Sequence, residues 1–204
     1  MALATYTDLQ TSIGNWLKRD DLAAQIPDFI TLAEARFNRK LRLRAMETSV
    51  TTTVSGQTYS MPADIRKIER FFVTTGGREY DLLYKAPGDM AKFSGQTGMP
   101  LYFTTINQQA YLYPAPDAAY DITMFYMTRV PALSVSNTTN WLLTNAPDVY
   151  LYGSLLQAAP YMKDDQRIAI WEGLYRDAVE STQASDDEQQ IPDSSLQIKA
   201  DVKI

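Results

Sequence analysis

The chain has 204 residues, 45% of them hydrophobic, and 24 acidic against 19 basic side chains leave a net charge of -5. That composition can bury a sizeable core, as one domain or two closely packed ones, and its mild acidity argues against non-specific coating of nucleic acid or anionic membrane. Cysteine and histidine are both absent, which removes disulfides, thiolate metal sites, the commonest zinc ligand and every Ser-His or Cys-His dyad. No stretch approaches the length of a membrane span and no signal-like apolar run opens the chain, so the expectation is a protein made in the cytoplasm without membrane contact.

The first element is helical. In "TYTDLQTSIGNWLKRDDL", Thr5 with Asp8 and Thr7 with Gln10 both have capping-box spacing, and Leu9, Ile13, Trp16 and Leu17 fall on one stripe. A second helix opens at "IPDFITLAEARFNRKLRLR", where Pro27 and Asp28 suit the first turn and Ile30, Ala33, Phe37 and Leu41 form the apolar face. Arg36, Arg39, Lys40, Arg42 and Arg44 crowd its far end, where cations complement the carbonyl dipole.

From about Thr48 the period changes to that of strands. "TSVTTTVSGQTYSMP" reads as a hairpin about Gly56, and "DIRKIERFFVTTGGREYDLLY" as two strands around Gly76 and Gly77. "PGDMAKF" has the makings of one helical turn from Pro87. "MPLYFTTINQQAYLYPAP" and "AAYDITMFYMTRVP" supply further aromatic and β-branched strands that end at prolines. The middle of the chain is therefore expected to be an antiparallel β-domain of roughly six or seven strands.

Helical spacing returns at "APDVYLYGSLLQAAPYM", with Val149, Tyr152, Leu156 and Ala159 on one stripe and Leu151, Leu155 and Ala158 on another. So broad an apolar surface needs more than one neighbour. After "KDD" a longer helix turns Ile168, Trp171, Tyr175 and Ala178 inward and runs out near "STQASDDEQQ". The fold class that follows is α+β: N- and C-terminal helices form an antiparallel bundle with the β-domain inserted between them. The expected boundaries are 1–47 and 134–190 for the bundle helices, 48–133 for the β-domain and 191–204 for an extended tail.

The tail poses its own problem. In "SLQIKADVKI", Leu196, Ile198, Ala200, Val202 and Ile204 alternate with Gln197, Lys199, Asp201 and Lys203, the pattern of a half-buried strand. The polar stretch before it, broken by Pro192, separates it from the bundle. Strand addition to another chain is the expected use, with these five apolar residues as the partner-binding face.

Chemistry is hard to find. The pairs Asp20–Asp21 and Asp164–Asp165 and the run Asp186, Asp187, Glu188 lie adjacent along the chain, as solvated helix-end acids do, and EF-hand ligand spacing is missing. "TTGGREY" lacks the lysine and the following helix that a phosphate loop requires. No catalytic residue, metal or cofactor is expected. The basic residues 36–44 have two readings: a face for nucleic acid or an acidic partner, or a helix end whose cations meet the dipole and cover apolar surface. Residues 147–190 carry nine acids and three bases, so pairing with that half of the bundle, within or between subunits, is a third.

Three blocks then resemble a known family. "TYTDLQTSIGNWLKRDDLAAQIPDFITLAEARFNRKLRLR", "YLYPAPDAAYDITMFY" and "NWLLTNAPDVYLYGSLLQAA" are similar, in order and spacing, to the head-to-tail adaptors of short-tailed bacteriophages, proteins of the tail tubular protein A kind. The resemblance implies a virion component at the head-to-tail junction, in a homo-oligomeric ring of twelve copies. It implies docking on the portal protein, a tail tube or nozzle protein on the other side, and genomic DNA passing through the channel without specific binding. A tail-associated glycosidase would instead need two facing carboxylates in an apolar pocket, and a nucleic-acid-binding module would need the residues 36–44 exposed and unpaired.

Overall fold

The computed structural model describes residues 3–93, 95–162 and 166–190. Contacts divide it into two compact units, one holding Met1–Arg44 with Val130–Ile204 and the other Ala45–Arg129.

The first unit is helical: α1 (Tyr6–Leu17), α2 (Ile26–Lys40), α3 (Trp141–Asn145), α4 (Pro147–Ala158) and α5 (Arg167–Gln190). Of the two possible capping boxes the chain uses the earlier one. The Asp8 amide donates to Thr5 Oγ1 at 3.2 Å and the Thr5 amide to the Asp8 carboxylate at 3.0 Å, which satisfies donors that the first turn leaves orphaned. Lys18 closes α1 in the left-handed conformation, its amide bonded to the Gly14 carbonyl. Leu9, Ile13 and Leu17 are buried, but Trp16 is 41% exposed, against expectation. It lies at the margin of that stripe and meets the Tyr152 ring edge-on at 5.8 Å. Ile30, Ala33, Phe37 and Leu41 of the α2 face are fully buried.

The centre of the unit is α4, which packs against α1, α2 and α5. Its two expected stripes come out unequal. Tyr152, Leu156 and Ala159 are half-buried, whereas Tyr150, Gly153 and Ser154 join Val149, Leu151, Leu155 and Ala158 in the interior. A helix enclosed by three others buries its small and polar residues as well as its apolar ones. Ile168 of α5 is half-buried and Trp171, Tyr175 and Ala178 are buried, and the helix continues through the polar stretch to Gln190.

The second unit contains β1 (Glu47–Val54), β2 (Thr58–Ser60), β3 (Ile65–Thr75), β4 (Arg78–Asp81), β5 (Leu83–Tyr84), β6 (Tyr102–Ile106), β7 (Gln109–Tyr113) and β8 (Tyr120–Thr128). They form two four-stranded sheets, β1-β8-β3-β4 and β2-β7-β6-β5. Val54, Phe71, Val73, Ile122 and Met124 of one sheet share a core with Tyr59, Phe103, Ala110 and Leu112 of the other. This is a sandwich, with a helical turn at Pro87–Phe93 as read from the sequence.

The expected hairpin about Gly56 does not form. All eight residues of β1 pair with β8, while the three of β2 pair with β7 in the opposite sheet. Folding β1 onto so short a strand would leave most of its backbone groups without a ladder. Two tight hairpins do form, β3–β4 through Gly76 and Gly77 and β6–β7 through Asn107 and Gln108, and all four loop residues have positive φ. That is the two-residue turn whose twist matches the flanking strands. Parallel pairing joins β5 to β6, and an isolated parallel bridge joins Thr97 to Ala115. β4 pairs with Phe72–Thr75 of β3, and the first half of β3 meets β8 through Ile65, Lys67, Ile68 and Arg70, with register irregularities between Ile65 and Lys67 and between Ile68 and Arg70.

Candidate functional site

The basic end of α2 is a built junction rather than a uniform charged face. Arg36 is half-buried, with its guanidinium 4.6 Å from the centre of the Tyr175 ring of α5. Tyr175 stacks in turn on Phe37 at 6.4 Å. Burial raises the Tyr175 hydroxyl above its ordinary range, and the Arg36 charge opposes that shift. Beyond the helix end, the Arg42 guanidinium donates to the Leu41 carbonyl at 3.0 Å, and the Arg44 amide donates to the Asp186 carboxylate at 2.8 Å. One member of the acidic run on α5 thus meets the basic run directly. Arg39, Lys40, Arg42 and Arg44 are exposed.

One turn earlier on α2 lies a polar network the sequence reading passed over. Glu34 is only 5% exposed, yet its Oε1 accepts the Leu133 amide at 2.7 Å and the Tyr150 hydroxyl at 3.1 Å. Asn140 donates to the same hydroxyl and to the Pro131 carbonyl, both at 2.6 Å, while its Oδ1 accepts the Leu143 amide at 2.8 Å and caps α3. Asn38, four residues after Glu34 and therefore on the same face, accepts the Val130 amide at 2.7 Å. Two positions on one helix face thus clamp residues 130–133, where the chain re-enters the helical unit. Burial raises the Glu34 carboxyl, while its two donors pull the other way. Burial, and then the Glu34 charge beside it, raises the Tyr150 hydroxyl. Each polar group is taken up by backbone or by another member of the network, the arrangement of a structural clamp rather than a general acid. The signal was present in the sequence: Glu34 stands in register with Ile30 and Ala33 on an otherwise apolar face.

Of the other described acids, Glu79 and Asp81 both accept from the Arg70 guanidinium, at 2.8 and 2.7 Å. Asp21 is exposed and held by the Arg19 guanidinium at 2.5 and 2.7 Å. Among the described residues no three carboxylates gather in a way that could hold a metal ion, and no helix is long and apolar enough to cross a membrane. Asp164, Asp165 and the five apolar positions Leu196, Ile198, Ala200, Val202 and Ile204 lie outside the described residues.

No curated protein matches the chain. A family model does: the one described as SU10 adaptor protein matches residues 4–197, and so takes in both the helical unit and the β-unit inserted in it. The chain belongs to the SU10 adaptor protein family.

Proposed function

We propose that this protein is a structural head-to-tail adaptor of a short-tailed phage virion, of the tail tubular protein A kind. Copies close into a ring, twelve by that resemblance, which docks on the portal protein, continues the DNA channel and receives the tail tube or nozzle protein. The work is done by geometry rather than catalysis, with each copy presenting two surfaces to its neighbours and one to each axial partner. The observation that carries this reading is the match to an adaptor family over residues 4–197. The domain scheme reads accordingly, with bundle helices in 1–47 and 134–190, an inserted β-domain in 48–133 and a tail in 191–204.

Within that reading the basic run divides by role. Arg36 and Arg44 tie α2 to α5 through the Tyr175 ring and Asp186, and the exposed Arg39, Lys40 and Arg42 side chains face assembly partners. Residues 196–204 add as a strand to a sheet of another chain. Net acidity suits a channel wall past which DNA slides without specific binding. Sedimentation of the purified protein with and without purified portal tests the reading. A discrete co-sedimenting complex is expected, and two species that sediment independently at every protein ratio and salt concentration would overturn it.

A further inference from the structure

Each sheet of the β-unit ends in two edge strands, and three of the four are blunted. β5 has two residues, β2 has three, and the four of β4 include Arg78, Glu79 and Asp81. Short length and charge are the ordinary protections of an edge, which is otherwise a ready template for another strand. β1 has neither. It runs for eight residues, its one charged side chain is Glu47 at the start, and it meets β8 residue for residue without a shift of register. In an antiparallel ladder alternate residues bond to the one neighbour, so every second residue of β1 turns its N–H and C=O outward, where no described strand pairs with them. The inner row of the same strand is also left part-covered. Val50 and Thr52 stand opposite the core residues Met124 and Ile122, yet both are only half-buried. Backbone groups to extend a ladder, and an inner row for alternate side chains to cover, are the two parts that a strand acceptor needs.

We propose that β1 accepts residues 196–204 of a neighbouring copy as an added antiparallel strand. The inference rests on the ring reading above and deepens it by naming the acceptor. Of the residues outside the described ones, only 191–204 form a run long enough to make a strand. The eight residues of β1 span roughly 27 Å at about 3.4 Å each, a length that residues 196–204 match. All three ladders of this sheet are antiparallel, and in that direction one register satisfies both faces. With Lys203 set opposite Glu47, Asp201 meets Ser49, Lys199 meets Thr51 and Leu196 meets Val54. Opposite charges then pair on the solvent face. On the inner face Ala200 and Ile198 cover Val50 and Thr52, and Leu196 extends the core beside Val54. A slip of one residue would turn the apolar side chains of the tail to solvent. Donor and acceptor are different surfaces of one chain. Each copy therefore gives one strand and takes one, the heterologous contact by which a ring closes.

The chain contains no cysteine, so introduced thiols report contacts without background. Full-length Ser49→Cys and Asp201→Cys variants, each checked for a native circular-dichroism spectrum, are mixed, assembled on portal and oxidised, and the linked peptides are mapped. Directly opposed positions of an antiparallel pair lie within disulfide reach, so the expected result is a 49–201 link. Because each chain carries one thiol, that link joins two copies. The Ser49→Cys, Asp201→Cys double variant should then give a ladder of covalent multimers. An Arg78→Cys variant, altered on the opposite edge of the same sheet, should give no link to 201. If the double variant links only within one chain, or if 201 links equally to 78, the proposal is overturned. Rings that form on portal with 201 linked to neither position overturn this inference while leaving the adaptor reading standing. Failure of the unaltered protein to form rings overturns both.

Discussion

Three glycines lie inside the helices, and the structure predicts that substituting alanine at two of them has opposite signs. At Gly153 of α4 an added Cβ would stand 2.7 Å from Phe37 Cζ, 2.8 Å from Phe37 Cε1 and 3.3 Å from Tyr175 Cε2. The Phe37 ring cannot swing away freely, because it meets Tyr150 edge-on at 5.1 Å and stacks on Tyr175. Overpacking of this kind costs about 1–3 kcal/mol, while alanine in place of glycine returns about 1 kcal/mol of helix propensity. The net for Gly153→Ala is a loss of about 1 kcal/mol. At Gly173 of α5 an added Cβ meets nothing within 4 Å, so only propensity acts and Gly173→Ala should gain about 1 kcal/mol. Gly14, with Ile26 Cδ1 at an ordinary 3.6 Å, belongs with Gly173. All three tryptophans, Trp16, Trp141 and Trp171, lie in the helical unit, so thermal unfolding followed by tryptophan fluorescence reads that unit. Gly153→Ala should lower the midpoint and Gly173→Ala raise it, each by about 2–4 °C. A rise at both positions would refute the close approach of α4 to Phe37.

Other expectations follow from individual contacts. Thr5→Ala removes the capping box and should cost about 1 kcal/mol in urea denaturation. Because burial raises the folded-state pKa of Glu34 above its unfolded value, its contribution is fully present below the unfolded value and lost as pH rises through the folded one. The stability of the native protein relative to Glu34→Gln should therefore improve as pH is lowered from neutrality, and the opposite slope would contradict burial as the dominant cause. The double reversal Arg39→Glu, Lys40→Glu should leave the unfolding midpoint nearly unchanged, since exposed charges contribute little to folding, while weakening ring formation or portal docking. Unchanged assembly would return these residues to a purely local role at the helix end.

What could be read from the sequence was set by local chemistry. Thr5 with Asp8, Pro27 with Asp28 and Pro147 with Asp148 carry their helix starts within a few residues, and Gly76-Gly77 carries its turn, so these elements emerged without tertiary information. Partner choice does not reside in a strand's own residues. The β1 sequence alternates equally well against β2 or β8, and only the length of β8 and the shared core around Val54 and Ile122 decide. Helix faces blur where a helix is enclosed, as at Tyr150 and Gly153, because period alone ranks residues by hydropathy while packing ranks them by fit. Glu34 and Asn140 look like surface residues by type, and their role appears only when residues 130–133 are laid across α2. The basic run was visible as a charge cluster, but its link to α5 spans 142 residues of sequence between Arg44 and Asp186.

The central claim is that copies of this chain close into a ring on the portal. Electron micrographs of the purified protein mixed with purified portal, averaged along the particle axis, test it most directly. The account predicts a ring coaxial with the portal, with the channel continuous through both and one adaptor density for each of twelve positions. Portal particles that remain bare, or adaptor density attached off-axis without closing around the channel, would contradict it.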